Sequence, residues 1–298
     1  MFVSVVLAVA AAVANAVASV FQRKAARDRP ESEAFELRLL WHLVRRPAWL
    51  GGVVAMVCGF VLQAAALGTG PIALVQPILI VELAFTLVLS AIVFHTALRV
   101  QEWLAVAGMS VGVALLLLAL RPTGGQPRTA SGLSWALASA ATVGVVAVLV
   151  FLGYRTHEAG RAAYLGVATG VTFGFTAALL TGITAAGLGG LFTEWQTYAL
   201  IVAGPAGFFL LQNALQGARL VASQPGLTLA NPLTALLWGV TVFREQLQSG
   251  AWLALAVLGL GLIATCTVLL ARSLSNHGEG GTSERAGRSG RFGVQRSG

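Results

Sequence analysis

Charge is scarce in this sequence: Asp, Glu, Lys and Arg make up 10% of its 298 residues, against 57% hydrophobic. A water-soluble domain of this length needs far more charge to keep its surface wetted, so that class is excluded. A mean hydropathy of +0.81 agrees. Cysteine is limited to Cys58 and Cys266, both inside apolar runs, which leaves no disulfide framework and no metal pair. Histidine is nearly as rare, and His42, His95, His157 and His277 all fall at span ends, in loops or in the tail. No Ser, His and Asp set assembles from them, nor a ligand group at one membrane depth, so an enzyme is not expected. No P-loop occurs either, which removes ATP as a driver within this chain, and no cofactor or bound metal is expected. Lysine appears once, as Lys24; the other basic residues are Arg, placed between apolar runs and in the tail. Without a basic, aromatic-studded domain, the net charge of +8 does not point to nucleic acid.

What the chain does have is long apolar runs. They are continuous and about 20 residues long, not the alternating segments of about 10 that barrel strands show. Lipid cannot solvate a bare backbone, so these runs predict helices. The reading is all-α and integral to the membrane. Nine transmembrane helices are expected near 3–21, 48–67, 72–94, 103–120, 133–154, 162–188, 198–215, 220–243 and 251–271. The first run lacks a basic residue ahead of it and has Arg23, Lys24, Arg27 and Arg29 behind it, so a retained span is expected, not a signal peptide. Between the first two spans, Phe35, Leu39 and Leu43 sit at helical spacing beside Arg38, His42, Arg45 and Arg46. A surface-lying amphipathic helix and a solvated linker both fit that pattern.

Nine spans place the termini on opposite sides. One face then holds sixteen basic residues, in the 22–47 loop, at Arg99, Arg155, Arg161 and Arg219, and in the tail; the other holds Arg121, Arg128 and Arg244. Positive charge is retained on the cytoplasmic side, so the N-terminus is expected outside and the C-terminus inside. Beyond Ser273 the tail is largely Gly, Ser and Arg, and disorder is expected over 272–298.

The second to fourth spans resemble the seventh to ninth. Gly59-Phe60-Val61-Leu62-Gln63 parallels Gly207-Phe208-Phe209-Leu210-Leu211-Gln212. A shift of 149 positions pairs Gln63 with Gln212, Gly68 with Gly217, Phe94 with Phe243, Trp103 with Trp252 and Gly112 with Gly261; a shift of 148 pairs Gln76-Pro77 with Gln224-Pro225. The seventh span comes five after the second and so crosses in the opposite direction, which makes the repeats inverted in the membrane. That divides the chain into a first membrane half over 1–155 and a second over 160–271. Inverted repeats are how secondary transporters achieve alternating access, with binding sites where corresponding spans are broken by Pro or Gly. The candidates are Gln76 and Pro77 in one half, and Gln224, Pro225, Asn231 and Pro232 in the other. Gly166, Gly170 and Gly174 on the sixth span, like Gly108 and Gly112 on the fourth, are expected to be packing seams.

Of eleven acidic residues, Glu82 alone lies near the middle of a span. An ionised carboxylate there costs about 2.5–3.5 kcal/mol, and an acid that persists is functional by default. Glu82 is therefore expected to exchange a proton during transport or to meet a cationic group of the solute. The amides Asn15, Gln63, Gln212 and Gln224 lie in spans as well; they line a shared polar pathway or join helices by hydrogen bonds, and both readings stand.

The two halves, the proline span in each, and the run Pro232-Leu233-Thr234-Ala235-Leu236-Leu237-Trp238-Gly239 ending at Arg244-Glu245 resemble the drug/metabolite transporter superfamily in its EamA-like branch. The stretch from Gly59 to Gln76-Pro77, and the count of nine spans, also resemble its NIPA-like magnesium transporters. The acidic residue that often closes the proline span stands here as Glu245, with Thr96 at its first-half counterpart. The resemblance implies a permease or exporter of a small organic solute in a bacterial cytoplasmic membrane, driven by an ion gradient or by the solute's own. Magnesium is the alternative substrate, although hydrated Mg²⁺ usually asks for one or two carboxylates and oxygen ligands. Lipid is the other expected partner, and pairing of two chains stays open.

Overall fold

The computed structural model describes residues 1–27, 47–95, 97–216, 220–248 and 250–293. The expected surface helix between the first two spans, and Thr96, Gly217 and Arg219, lie outside the described residues. Ten α-helices follow one another: α1 Phe2–Arg27, α2 Pro47–Thr69, α3 Ile72–Leu79, α4 Val81–Phe94, α5 Val100–Leu120, α6 Gly132–Arg155, α7 Glu158–Ala186, α8 Trp195–Gln216, α9 Leu220–Thr241 and α10 Trp252–Gly293. Two short strands, β1 Thr123–Gly124 and β2 Glu245–Gln246, pair antiparallel with Gly124 opposite Glu245.

Helices α3 and α4 form one rod with a fault in it. Pro77 cannot donate to the carbonyl a turn behind. Just beyond it the hydrogen bonds shorten to three-residue steps, Ile80 N to Pro77 O at 3.2 Å and Leu83 N to Ile80 O at 3.1 Å. Counted this way the described residues make nine rods. Eight are long and apolar enough to cross a membrane. The ninth, α9, is diluted by Ser223, Gln224, Pro225, Thr228, Asn231, Pro232 and Thr234, and packs along α7, the most buried of the eight. Helices of this length and composition make the chain a multi-pass membrane protein.

Glycine decides where the rods meet most closely. A Cβ on Gly112 of α5 would stand 2.9 Å from the carbonyl oxygen of Gly259 in α10, and one on Gly259 would stand 2.8 Å from that of Gly112. On α7, a Cβ at Gly170 or Gly174 would lie 2.7 Å from the carbonyl of Leu227 or Asn231 in α9. Only backbones without side chains approach this far, and in lipid such packing replaces the hydrophobic drive. At one end of α7 an aromatic cluster fills the core. Trp135 packs 5.1 Å from Trp238, 5.4 Å from Trp195 and 5.6 Å from Phe243, centroid to centroid. The Trp238 indole donates to Thr142 Oγ1 at 3.2 Å, which satisfies its one donor.

The apolar part of the last helix, α10, ends at Arg272, and the helix runs on to Gly293. An existing helix propagates one hydrogen bond per residue without a new nucleus, which is how a polar stretch continues a membrane span.

Candidate functional site

Glu82 lies in the first turn of α4, just past the fault at Ile80. Its carboxyl is hydrogen-bonded by the side chain of Asn15 from α1. The Oδ1 of Asn15 presses on Gly59 of α2, in the space any Cβ there would occupy. Three rods thus meet at one polar contact inside the apolar bundle, and the absence of a side chain at position 59 makes room for it. Gln63 stands one turn further along α2, partly buried on the same face as Gly59.

The two proline spans meet differently from the sequence pairing. Ile72 lies against Gly239, and Pro77 borders the same cavity as Pro232, so α3 and α9 run antiparallel. That cavity is about 120 Å³ and apolar, walled further by Leu116, Leu236 and Leu260. Pro225 comes seven residues before Pro232, about 10 Å along the helix axis. There the neighbours are those of α7: Ser223 backs onto Gly166, and Gly226 onto Val167 and Ala163. Gln224 and Pro225 thus lie about two turns from Pro232, against α7, while Pro77 faces Pro232. The dipeptides match in sequence, but antiparallel helices bring together residues of equal depth, and Pro232 has the depth of Pro77.

Beside each of these prolines sits an amide with an unmet atom. Gln76 is 2% exposed, and among the described residues neither its Nε2 nor the buried Oδ1 of Asn231 has a hydrogen-bond partner. Such groups cost free energy until something pairs with them. Gln212 is exposed on α8 and joins none of the other candidates, while its neighbour Asn213 donates to Phe209 O at 2.7 Å.

Sequence reasoning noted Glu245 only as a family feature and missed its role in the fold. Its carboxylate is 5% exposed and accepts two backbone N–H groups at the start of α3, Ile72 at 2.7 Å and Ala73 at 3.1 Å. An anion at a helix N-terminus satisfies free donors and faces the positive end of the helix dipole. Gly239 lies directly under one carboxylate oxygen, and the Cγ would be 3.0 Å from a Cβ on Gly125. Burial pushes the carboxyl up to about 7, while the bonds from Ala73 and Ile72 pull the other way. Glu245 also borders a cavity of about 340 Å³ with Met1, Gly68, Thr69, Thr123 and Thr181. Among the described residues, no three His, Cys, Asp or Glu side chains gather where a metal ion could sit.

Known proteins resemble this chain in two ways. An uncharacterized protein of Corynebacterium glutamicum is 28% identical over 276 residues, covering 91% of this chain and 95% of that one. A probable 4-amino-4-deoxy-L-arabinose-phosphoundecaprenol flippase subunit of Aeromonas hydrophila is 33% identical over 76 residues, 26% of this chain and 67% of that one. No family model and no solved structure matches. Apolar rods of membrane length, together with this likeness, define a membrane transporter. The chain belongs with the drug/metabolite-transporter-like proteins. The magnesium-transporting branch finds no support in these comparisons.

Proposed function

We propose that the chain is a secondary transporter of a small organic solute, of the EamA-like kind, working by alternating access between two inverted halves over 1–155 and 160–271. The carrying observation is the contact of Asn15 with Glu82: a carboxyl held among three rods, where an inert side chain would avoid the cost of burial. The unmet amide atoms of Gln76 and Asn231 add hydrogen-bonding capacity for a solute. Three further features support inversion. Helices α3 and α9 are antiparallel; α5 and α10 cross at Gly112 and Gly259; and His95 and Arg244, matched by the repeat, share a left-handed backbone, φ 53° and 56°. In this reading α9 also crosses the membrane and brings the spans to nine, the N-terminus faces outward, and the membrane is the bacterial cytoplasmic one. No chemical transformation accompanies transport.

The likeness to a flippase subunit favours a second reading, in which the solute's polar head is carried on a lipid. Growth of a deletion strain across metabolites and amino-acid analogues identifies candidate solutes, and uptake by proteoliposomes tests them. Accumulation of a soluble compound supports the first reading. A lipid-linked headgroup changing leaflet, with no soluble compound accumulating, supports the second. If neither occurs, transport by this chain is refuted.

A further inference from the structure

The contact between Glu245 and α3 joins the two proposed halves at one mouth of the bundle. The carboxylate belongs to the connection between α9 and α10; the two N–H groups it accepts open the broken rod of the first half. Strand pairing of Glu245 with Gly124 holds its backbone, and the 340 Å³ cavity brings solvent-accessible space to its side chain. Any movement of α3 away from α9 at this end must first break both hydrogen bonds.

We propose that Glu245 is a proton-binding site that latches this mouth: with the proton bound, α3 stays docked on the α9–α10 connection, and with the proton gone the mouth opens.

The direction follows from the surroundings. Among the described residues, α3 presents the Ile72 and Ala73 N–H groups to the carboxyl, α9 presents Gly239, and β1 and the residue after it present Gly124 and Gly125. Across the cavity, among the described residues, lie Thr69, Thr181 and Met1; Arg244 is adjacent in the chain and exposed. Two N–H bonds do not replace the water a carboxylate loses, so in the closed mouth burial dominates and holds the group near 7. Opening returns it to water and to its ordinary value of 4.5. The closed state therefore binds the proton more tightly. Acid favours closure, and a pH rising through about 7 favours opening, by up to tenfold in the ratio for each unit between the two values.

This inference rests on the alternating-access reading, but its test does not need a solute. In a background lacking Cys58 and Cys266, Thr69→Cys reports on the cavity, and Gly132→Cys, where nothing lies within 4 Å of an added Cβ, reports on free exposure. Both are labelled with a hydrophilic thiol reagent in the purified full chain, one pH unit above and one below the Glu245 midpoint. The Thr69→Cys rate, divided by the Gly132→Cys rate, should rise roughly threefold or more at the higher pH. Glu245→Gln, always neutral, should give a low and pH-independent ratio. A flat ratio with Glu245 present overturns the latch, and so does a slope that survives Glu245→Gln. If Glu245→Gln does not fold, Glu245→Asp decides: it still titrates but reaches α3 less well, so labelling should be faster at both pH values with the slope retained, and slow labelling without a slope overturns the idea. A flat ratio in a protein that transports removes the latch alone; a slope in a protein that transports nothing removes the transport reading alone.

Discussion

Asn15 of α1 hydrogen-bonds the carboxyl of Glu82 in α4 while its own Oδ1 rests against Gly59 of α2. The amide can serve both neighbours because it has an acceptor at one end and donors at the other. A methyl group at position 59 would occupy the space of that oxygen. Gly59→Ala should therefore push Asn15 away from Glu82 and destabilise the protein by about 1–3 kcal/mol, the usual range for overpacking. In an Asn15→Ala background the same change should be nearly neutral. Thermal unfolding of the four proteins in detergent measures the coupling. Additive effects would mean the contact is not shared.

His95, which caps α4, and Arg244, three residues past the end of α9, both sit in the left-handed region, φ 53° and 56°. A side chain is strained there and glycine is not. His95→Gly and Arg244→Gly should each leave stability unchanged or raise it by about 1 kcal/mol, while valine at either position should lower it by more. Unfolding midpoints check the order. Equal effects of glycine and valine would show that the backbone at these turns does not govern stability.

Glu245 gives the stability a pH dependence of definite sign. Its folded value is about 7 against an ordinary 4.5. A carboxyl raised on folding contributes stability that is complete below the ordinary value and is lost as pH rises through the folded one. The loss is at most ~3 kcal/mol across that window. Unfolding midpoints of the Glu245 protein should fall relative to Glu245→Gln between those two pH values. Parallel curves would contradict the burial argument.

The proposed orientation predicts where single cysteines react. In a background without Cys58 and Cys266, Ser32→Cys and Ser283→Cys should resist an impermeant thiol reagent in whole cells and react after permeabilisation, because the basic residues gather on their side. Ready labelling of either from outside would reverse the topology.

Much of the architecture was legible because a bilayer imposes it. Spans such as α2 and α5 begin and end within a few residues of the expected bounds, since charge and turn residues cannot stay in hydrocarbon. The glycine seam of α7 was legible from its four-residue spacing. The Pro77–Pro232 meeting was not. Repeat matching favoured Pro225 because its neighbours Gln224 and Gln76 are alike, whereas the antiparallel run of α3 against α9 selects by depth. Nor could the partner of Glu245 be read, because no pattern links a carboxylate to a helix start 173 positions away. Glu82 and Asn15 were singled out separately as polar residues in spans; only the fold shows that they touch.

In the proposed reading Glu82 works in transport. Glu82→Gln keeps the size of the side chain and most of its hydrogen bonding but removes titration and charge. Once a transported solute is in hand, its uptake by proteoliposomes should be compared for the two proteins over a range of pH. The proposed role of Glu82 predicts that the Glu82 protein transports with a pH-dependent rate and that Glu82→Gln, folded and inserted, is slower by roughly tenfold or more, with the pH dependence lost. Transport by Glu82→Gln at the rate of the unaltered protein at every pH would contradict it.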